Sequence, residues 1–164
     1  MRILGIDPGY GIIGYGVIDY INSQTKIIDC GVIETKKDTM FIQRLNIISN
    51  SIISIIDMFK PDCACIEELF FQHNQKTAIM VAEARGVILN ELYKKVDNIF
   101  EYTPMQIKQI LTGNGRADKK QIQFMVTKIL NLPKVPKPDD AADALACALC
   151  LAGNYNNSEE FRIK

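Results

Sequence analysis

Four carboxylates carry the chemistry that this chain offers most openly. Asp7 closes the apolar run Ile3-Leu4-Gly5-Ile6, and Glu67 closes a second, Cys63-Ala64-Cys65-Ile66. Asp140 and Asp143 open the Ala-rich stretch Asp139-Asp140-Ala141-Ala142-Asp143-Ala144-Leu145. An acid at the mouth of a buried strand is costly to ionise unless something positive neutralises it. Several such groups brought together repel, and a divalent cation removes that repulsion. Hard oxygen donors select Mg²⁺ or Mn²⁺ over the thiolate-seeking metals. Asp140 and Asp143 share one face of a helix, their Cβ atoms about 5–6 Å apart, in the first turn where the helix dipole tolerates negative charge.

Each acid taken alone has a plainer reading. Asp139 or Asp140 can cap the helix, with Asp143 a solvated acid, and Asp-Pro-Gly at residue 7 is a common turn sequence. Glu67 and Glu68 point to opposite faces of a strand, so one of them joins a given site. The alternation Cys63, Cys65, Glu67 selects Glu67. Acids at two strand ends plus a pair on one helix face suit phosphodiester hydrolysis with two metal ions roughly 3.5–4 Å apart, one acidifying an attacking water and the other stabilising the departing 3′ oxygen. Asp7 is the acid best suited to bridge both ions. Lys108 or Lys119 is the cation best placed by region to offset charge on the phosphorane.

The elements that must position these groups follow from period and punctuation. Three strands are expected at Arg2 to Ile6, Ile12 to Asp19 and Lys26 to Glu34, joined by short turns as an antiparallel meander. From Thr39 to Phe59 the apolar positions Phe41, Leu45, Ile48, Ile52, Ile55, Ile56 and Phe59 recur at helical spacing. A fourth strand leads to Glu67, a helix runs from Thr77 to Lys95, and a fifth strand spans Asn98 to Tyr102. The small residues of the Thr77–Lys95 helix would let the sheet, or the same helix of a second copy, come close. Pro104 suits the first turn of a helix through Leu111. Asp118 to Leu130 and Asp140 to Ala152 are the last two helices. This order predicts one α/β domain, a mixed five-stranded sheet flanked by helices, over residues 1–153. A polar C-terminal tail, 154–164, is expected to fray. Sites in such sheets gather at strand ends beside the crossovers, which is where Asp7 and Glu67 lie.

Bulk properties bound the function. The formal net charge is zero, with 19 basic and 19 acidic residues. Between Thr103 and Pro138, however, seven basic residues face the single acid Asp118, a local +6 balanced by −6 elsewhere. A neutral chain with such a segment can grip a phosphate backbone. No apolar stretch approaches the roughly 20 residues of a membrane helix. The N-terminal residues lack a signal-peptide layout, so a cytoplasmic location is expected. The five cysteines are then reduced. Cys63-x-Cys65 and Cys147-x-x-Cys150 lie in apolar contexts and are read as buried thiols rather than zinc ligands.

The ordered set Gly5-Ile6-Asp7-Pro8-Gly9, Gly14-Tyr15-Gly16-Val17, Ile66-Glu67 with Phe70, Ala84-Arg85-Gly86, Phe100-Glu101-Tyr102, Gln106-Ile107-Lys108-Gln109 and Asp140-Ala141-Ala142-Asp143-Ala144-Leu145 resembles the RuvC family of bacterial Holliday-junction resolvases. The resemblance runs from Arg2 to Ala152. It implies an RNase H-like fold, a homodimer, and Mg²⁺- or Mn²⁺-dependent endonuclease activity. It also implies action on four-way DNA junctions in recombination and repair, alongside the RuvA–RuvB branch-migration complex. On this resemblance Asp7, Glu67, Asp140 and Asp143 are the catalytic, metal-holding acids and Lys108 and Lys119 the functional lysines. Phe70 matches the aromatic at the junction centre, where it could stack on an unpaired base; buried core aromatics are the alternative for Phe70 and Phe71. Arg116 and Lys120 join the expected DNA-binding set, and His73 is read as a loop residue. Asp139 beside Asp140, and Lys120 beside Lys119, are neighbouring candidates for the same places.

A dimer also follows from the chemistry, since two equivalent nicks in a symmetric junction need two equivalent sites. Three rival functions share some of these features. The segment Asp7-Pro8-Gly9-Tyr10-Gly11 also resembles the phosphate loop of actin- and sugar-kinase-like ATPases, which use two such domains. A junction-binding module without catalysis and a general ribonuclease H are the others.

Overall fold

The computed structural model describes residues 1–69 and 75–163. Strand β1 (Arg2–Asp7) pairs antiparallel with β2 (Ile12–Ile21), and β2 with β3 (Gln24–Glu34). Asn22 and Ser23, both at positive φ, form a two-residue turn between β2 and β3 of the kind whose twist suits a hairpin. On its other side β1 pairs in parallel with β4 (Cys63–Glu67), and β4 with β5 (Asn98–Tyr102). The sheet order is β3-β2-β1-β4-β5. It is the expected mixed sheet, with β1 at its centre between β2 and β4.

Each face of the sheet carries its own core. Leu4, Ile6, Ile13, Val17, Ala64 and Ile66 pack under helices α1 (Phe41–Phe59) and α2 (Gln75–Tyr93). The apolar positions of α1 behave as its period predicts, with one addition: Arg44 is buried among them. Ala84, Ile88 and Leu92 turn α2 toward α1 and the sheet, while Ala82 and Gly86 stay on its exposed side. On the opposite face Ile3, Cys63, Cys65, Phe100 and Tyr102 meet α5 (Asp139–Asn154), with α3 (Pro104–Thr112) and α4 (Lys119–Ile129) packed beside it. The short helices are strongly terminated. Thr103 with Gln106 and Asp118 with Gln121 form reciprocal capping boxes, and Gly113 ends α3 in the left-handed region at φ 73°.

Three glycines decide how close α5 comes to the sheet. An added Cβ on Gly5 would lie 2.1 Å from the Ala144 carbonyl oxygen, and one on Gly14 2.0 Å from that of Asp140. On Gly16 it would run into the Leu145 side chain at 2.8 Å. The backbone of α5 therefore rests directly on β1 and β2, closer than any side chain permits. All but one residue from Ala141 to Ala152 is buried, the exception being Asp143.

One expectation needs correction, and one of the plainer alternatives falls away. The C-terminal tail does not fray as far as it is described. A 3₁₀ segment, Tyr155–Phe161, stacks Phe161 on Tyr102 at 4.4 Å between ring centroids, and Arg162 bridges to Phe100 of β5. The free edge of β5 supplies apolar surface and open backbone groups that the polar composition of the tail does not reveal. Neither Asp139 nor Asp140 caps α5: the N-cap is Pro138, and no side chain makes the capping bond. The thiols follow expectation, with Cys63, Cys65, Cys147 and Cys150 buried in the α5 face and free. Cys65 and Cys147 touch, Sγ to Sγ, at 2.8 Å.

The glycine contact is open to a direct test. Gly14→Ala or Gly5→Ala lowers unfolding stability by roughly 1–3 kcal/mol through overpacking. Gly153→Ala in the last turn of α5, where the new Cβ meets only Ile110 at 3.6 Å, raises it by about 0.5–1 kcal/mol. Urea midpoints of the three variants check this, and equal midpoints would remove the contact as a constraint.

Candidate active site

Asp7 and Glu67 end neighbouring parallel strands. The register pairs Ile6 with Ile66, so the two acids come next, side by side at the carboxyl ends. Strand alternation puts both on the α5 face, in line with Gly5 and Cys65, while Glu68 is exposed. Because Gly5 and Gly14 admit the backbone of α5, its first turns arrive above the same strand ends and bring Asp143 to them. The result is a cleft of about 250 Å³ lined by Asp7, Glu67, Asp143, Lys108 and Lys119, with Pro104, Ile107, Ile122 and Ala146 as apolar walls.

Asp140, one turn earlier on α5, does not line this cleft. It borders a second, shallower groove with Gly9, Gly11 and Arg44, although its charge still reaches Asp7. Among the described residues no three acids meet as a ready-made ligand group. Like charges at ligand distance repel, and Asp143 is ion-paired with Lys119 instead, Nζ to Oδ2 3.1 Å.

The electrostatics identify which groups lack a partner. Neither the Asp7 nor the Glu67 carboxylate accepts a hydrogen bond or forms an ion pair among the described residues. Burial, then repulsion from Glu67, Asp143 and Asp140, pushes the Asp7 carboxyl up to about 8. Burial and Asp143 push Glu67 up to about 7, against the pull of Lys108 and Lys119. Asp143 is also raised, by burial first, with Lys119 opposing. At Lys119 partial desolvation is outweighed by Asp143 and Asp139, so its ammonium is held above its usual range. Hard oxygen donors, partly buried and uncompensated, are the donor set that a divalent cation fits.

The neighbouring candidates separate in space. Asp139 is drawn outward by Lys137, Nζ to Oδ1 2.7 Å, which holds its carboxyl below the usual range. Lys119 faces the acids, whereas Lys120 lines a different depression with Thr112, Asn114 and Phe124. Arg116 is exposed on the α3–α4 loop, its backbone N–H donating to Asn114 Oδ1. Phe70, Phe71 and His73 lie outside the described residues. Sequence reasoning passed over Arg44, whose place in an otherwise apolar helix stripe is the signal that it is buried for a reason.

A mixed sheet in the order 3-2-1-4-5, with acids at the ends of its neighbouring strands β1 and β4 and a helix bringing a further acid across them, defines an RNase H-like acidic centre. The comparisons agree. A family model described as "Crossover junction endodeoxyribonuclease RuvC" matches residues 3–151. The RuvC of Alkaliphilus oremlandii is 51% identical over 164 residues, covering 100% of both chains, and that of Clostridioides difficile is 49% identical, covering 100% of this chain and 96% of the other. The solved structure of Thermus thermophilus RuvC superposes with a TM-score of 0.89 at 31% identity, covering 99% of this chain and 98% of that one. The same protein in complex with a Holliday junction substrate gives 0.86 at 30% identity, with 95% and 96% covered. The chain belongs to the RuvC family of crossover junction endodeoxyribonucleases, a nuclease family that uses divalent metal ions. None of the helices described is long and apolar enough to cross a membrane.

The raised carboxyls tie stability to pH. Between the ordinary values of 3.8 and 4.5 and the folded values near 8 and 7, the folded protein binds more protons than the unfolded chain. Its stability without metal therefore falls as pH rises through that window. In EDTA the melting temperature drops by a few °C from about pH 5.5 to about pH 8.5, and Asp7→Asn removes much of that drop. Thermal scans at the two pH values check the sign, and a wild-type Tm that rises with pH contradicts it.

Proposed function

We propose that Asp7, Glu67, Asp140 and Asp143 hold two Mg²⁺ ions per active site, with Mn²⁺ able to substitute, and that the enzyme resolves four-way DNA junctions by paired symmetric nicks. The observation that carries this reading is the adjacency of Asp7 and Glu67, partly buried and unpaired among the described residues, in a cleft that Lys108 and Lys119 close. Bound divalent ions supply Lewis acidity toward the phosphodiester and its departing oxygen. The protein's own groups do the rest. Asp7, reached by the charges of all three other acids, would be the residue that gains most from holding the ions. Lys119 neutralises Asp143 in the resting site and is free to turn toward a phosphate once the acids are otherwise compensated. Lys108, on α3, approaches Glu67 from the other wall. The apolar walls Ile107, Ile122 and Ala146 limit water in the cleft and strengthen each of these interactions.

In this reading residues 1–153 are the nuclease domain and 154–164 a C-terminal tail, of which Phe161 to Ile163 pack against β5. Arg116 and Lys120, on the outer side of α3 and α4, contact the phosphates of an arm, and Phe70, just beyond Glu67, meets the bases at the crossover. The enzyme works as a homodimer because two like-polarity strands must be cut, and the outward face of α2, with Ile79 at 62% and Tyr93 at 81% exposure, offers the apolar contact. It acts in the cytoplasm with the RuvA–RuvB branch-migration complex, in recombination and repair. The T. thermophilus relative, solved in complex with a Holliday junction substrate, supports the choice of DNA.

A labelled synthetic four-way junction and a linear duplex of the same sequence, with Mg²⁺ or EDTA, test this directly. Paired symmetric nicks are expected in the junction alone and only with metal. Asp7→Asn lowers the cleavage rate by at least about 10³-fold, the scale of losing one key stabilising group, while junction affinity persists. Equal cutting of linear duplex, or of an RNA–DNA hybrid, would overturn the junction reading.

A further inference from the structure

We propose that the groove on the far side of Asp140 is a second phosphate-binding subsite, which holds the DNA strand beyond the scissile phosphate. The inference rests on the nuclease reading above and extends it to a surface that reading leaves unused. The groove has a volume of about 820 Å³ and is lined by Gly9, Gly11, Thr35, Lys36, Lys37 and Arg44, together with the acids Glu34 and Asp140.

Its floor is built rather than incidental. Arg44 is only 7% exposed, on a helix whose other buried positions are all isoleucine. Its Nε donates to the Thr35 hydroxyl oxygen at 2.8 Å and its Nη2 to the Tyr10 carbonyl at 3.0 Å. The Thr35 hydroxyl in turn donates to that carbonyl at 2.6 Å, and the guanidinium lies over the Tyr10 ring, 4.5 Å from its centroid. These contacts fix the turn that follows Asp7. They spend two of the five guanidinium donors, and among the described residues no carboxylate pairs with Arg44 and no further hydrogen bond engages it. A buried guanidinium without a counter-charge is expensive, and a planar fork with unspent donors matches the oxygens of a phosphodiester. Exposed Lys36 and Lys37 on the rim extend the positive surface, and Gly9 and Gly11 present backbone with no side chain to bar a strand.

Position supplies the rest. Asp140 borders this groove while its charge reaches Asp7, so the groove begins where the catalytic cleft ends. A strand with its scissile phosphate over Asp7 and Glu67, gripped by Lys108 and Lys119 on one side, leaves across Asp140 toward Arg44, Lys36 and Lys37 on the other. The two basic surfaces then hold phosphates on both sides of the cut and keep the strand taut over the acids.

The test measures binding in EDTA, so it does not depend on cleavage. The full chain is titrated onto a fluorescent four-way junction at several salt concentrations. Lys36→Ala/Lys37→Ala is expected to weaken affinity about tenfold and to lower the slope of log affinity against log salt by about 1–2. Lys26→Ala/Lys94→Ala, which removes the same charge away from the groove, should change affinity less than about twofold. Neutral methylphosphonates placed singly near the cut then locate the contact. One position that weakens wild-type binding should be silent in Lys36→Ala/Lys37→Ala. The proposal is overturned if the two double variants behave alike, or if every methylphosphonate has the same effect in both backgrounds. Failure of the junction reading appears separately, as loss of the wild-type preference for junction over duplex.

Discussion

The contact between helix α5 and the bare backbone of β1 and β2 governs the rest of this molecule. A helix normally stands on a sheet at a distance set by two layers of side chains. Here Gly5, Gly14 and Gly16 remove one layer, and the alanines of α5 thin the other. The gain is buried apolar surface and dense packing, which scale with closeness of fit. The consequence is positional: the first turns of α5 are forced down onto the carboxyl ends of β1 and β4, where Asp7 and Glu67 already stand. The site is thus a by-product of a packing rule, and it inherits the rigidity of the core beneath it.

That geometry sets up an electrostatic conflict. Two strand-end acids without partners among the described residues lie beside Asp143 in a partly buried cleft with apolar walls, and the charge of Asp140 reaches Asp7 from outside it. The fold tolerates this because Lys119 spans Asp143 and Asp139, at 3.1 and 3.5 Å, and because Lys108 stands across from Glu67. Both lysines come from the α3–α4 pair, whose ends are fixed by two capping boxes and a left-handed glycine. The local strength of those short helices therefore serves the site at a distance. Remaining repulsion is energy that a cation recovers on binding, which is why stability, metal and pH are linked here through the same side chains.

The opposite face of the sheet has a different duty. Its core of α1 and α2 is conventional except for Arg44, which reaches out to hold the Tyr10–Gly11 turn. Arg85 on α2 makes a second link, an ion pair with Glu101 of β5. The turn after β1 and the edge strand β5 are in this way tied to helices on the side away from the acids. The acidic face can then carry its uncompensated charge on a frame braced from behind.

Much of this was legible in the residues. The strand and helix periods gave every strand and α-helix within a few positions, and β5 at Asn98–Tyr102 was exact, because apolar alternation, turn residues and capping patterns are local and add up over short windows. The alternation Cys63, Cys65, Glu67 correctly put Glu67 rather than Glu68 on the α5 face. What stayed hidden was decided by contacts between residues far apart in the chain. The tail could be read only as polar, since its partner is the free edge of β5 some sixty residues earlier. The separation of Lys119 from Lys120, and of Asp143 in the cleft from Asp140 outside it, depends on the rotation of α4 and α5 about their own axes. The sequence by itself determined which residues could do chemistry and which strands and helices carry them, because those follow from side-chain type and local period. Only the tertiary structure decided which of them share one cleft, because that is set by how closely a helix can approach three glycines.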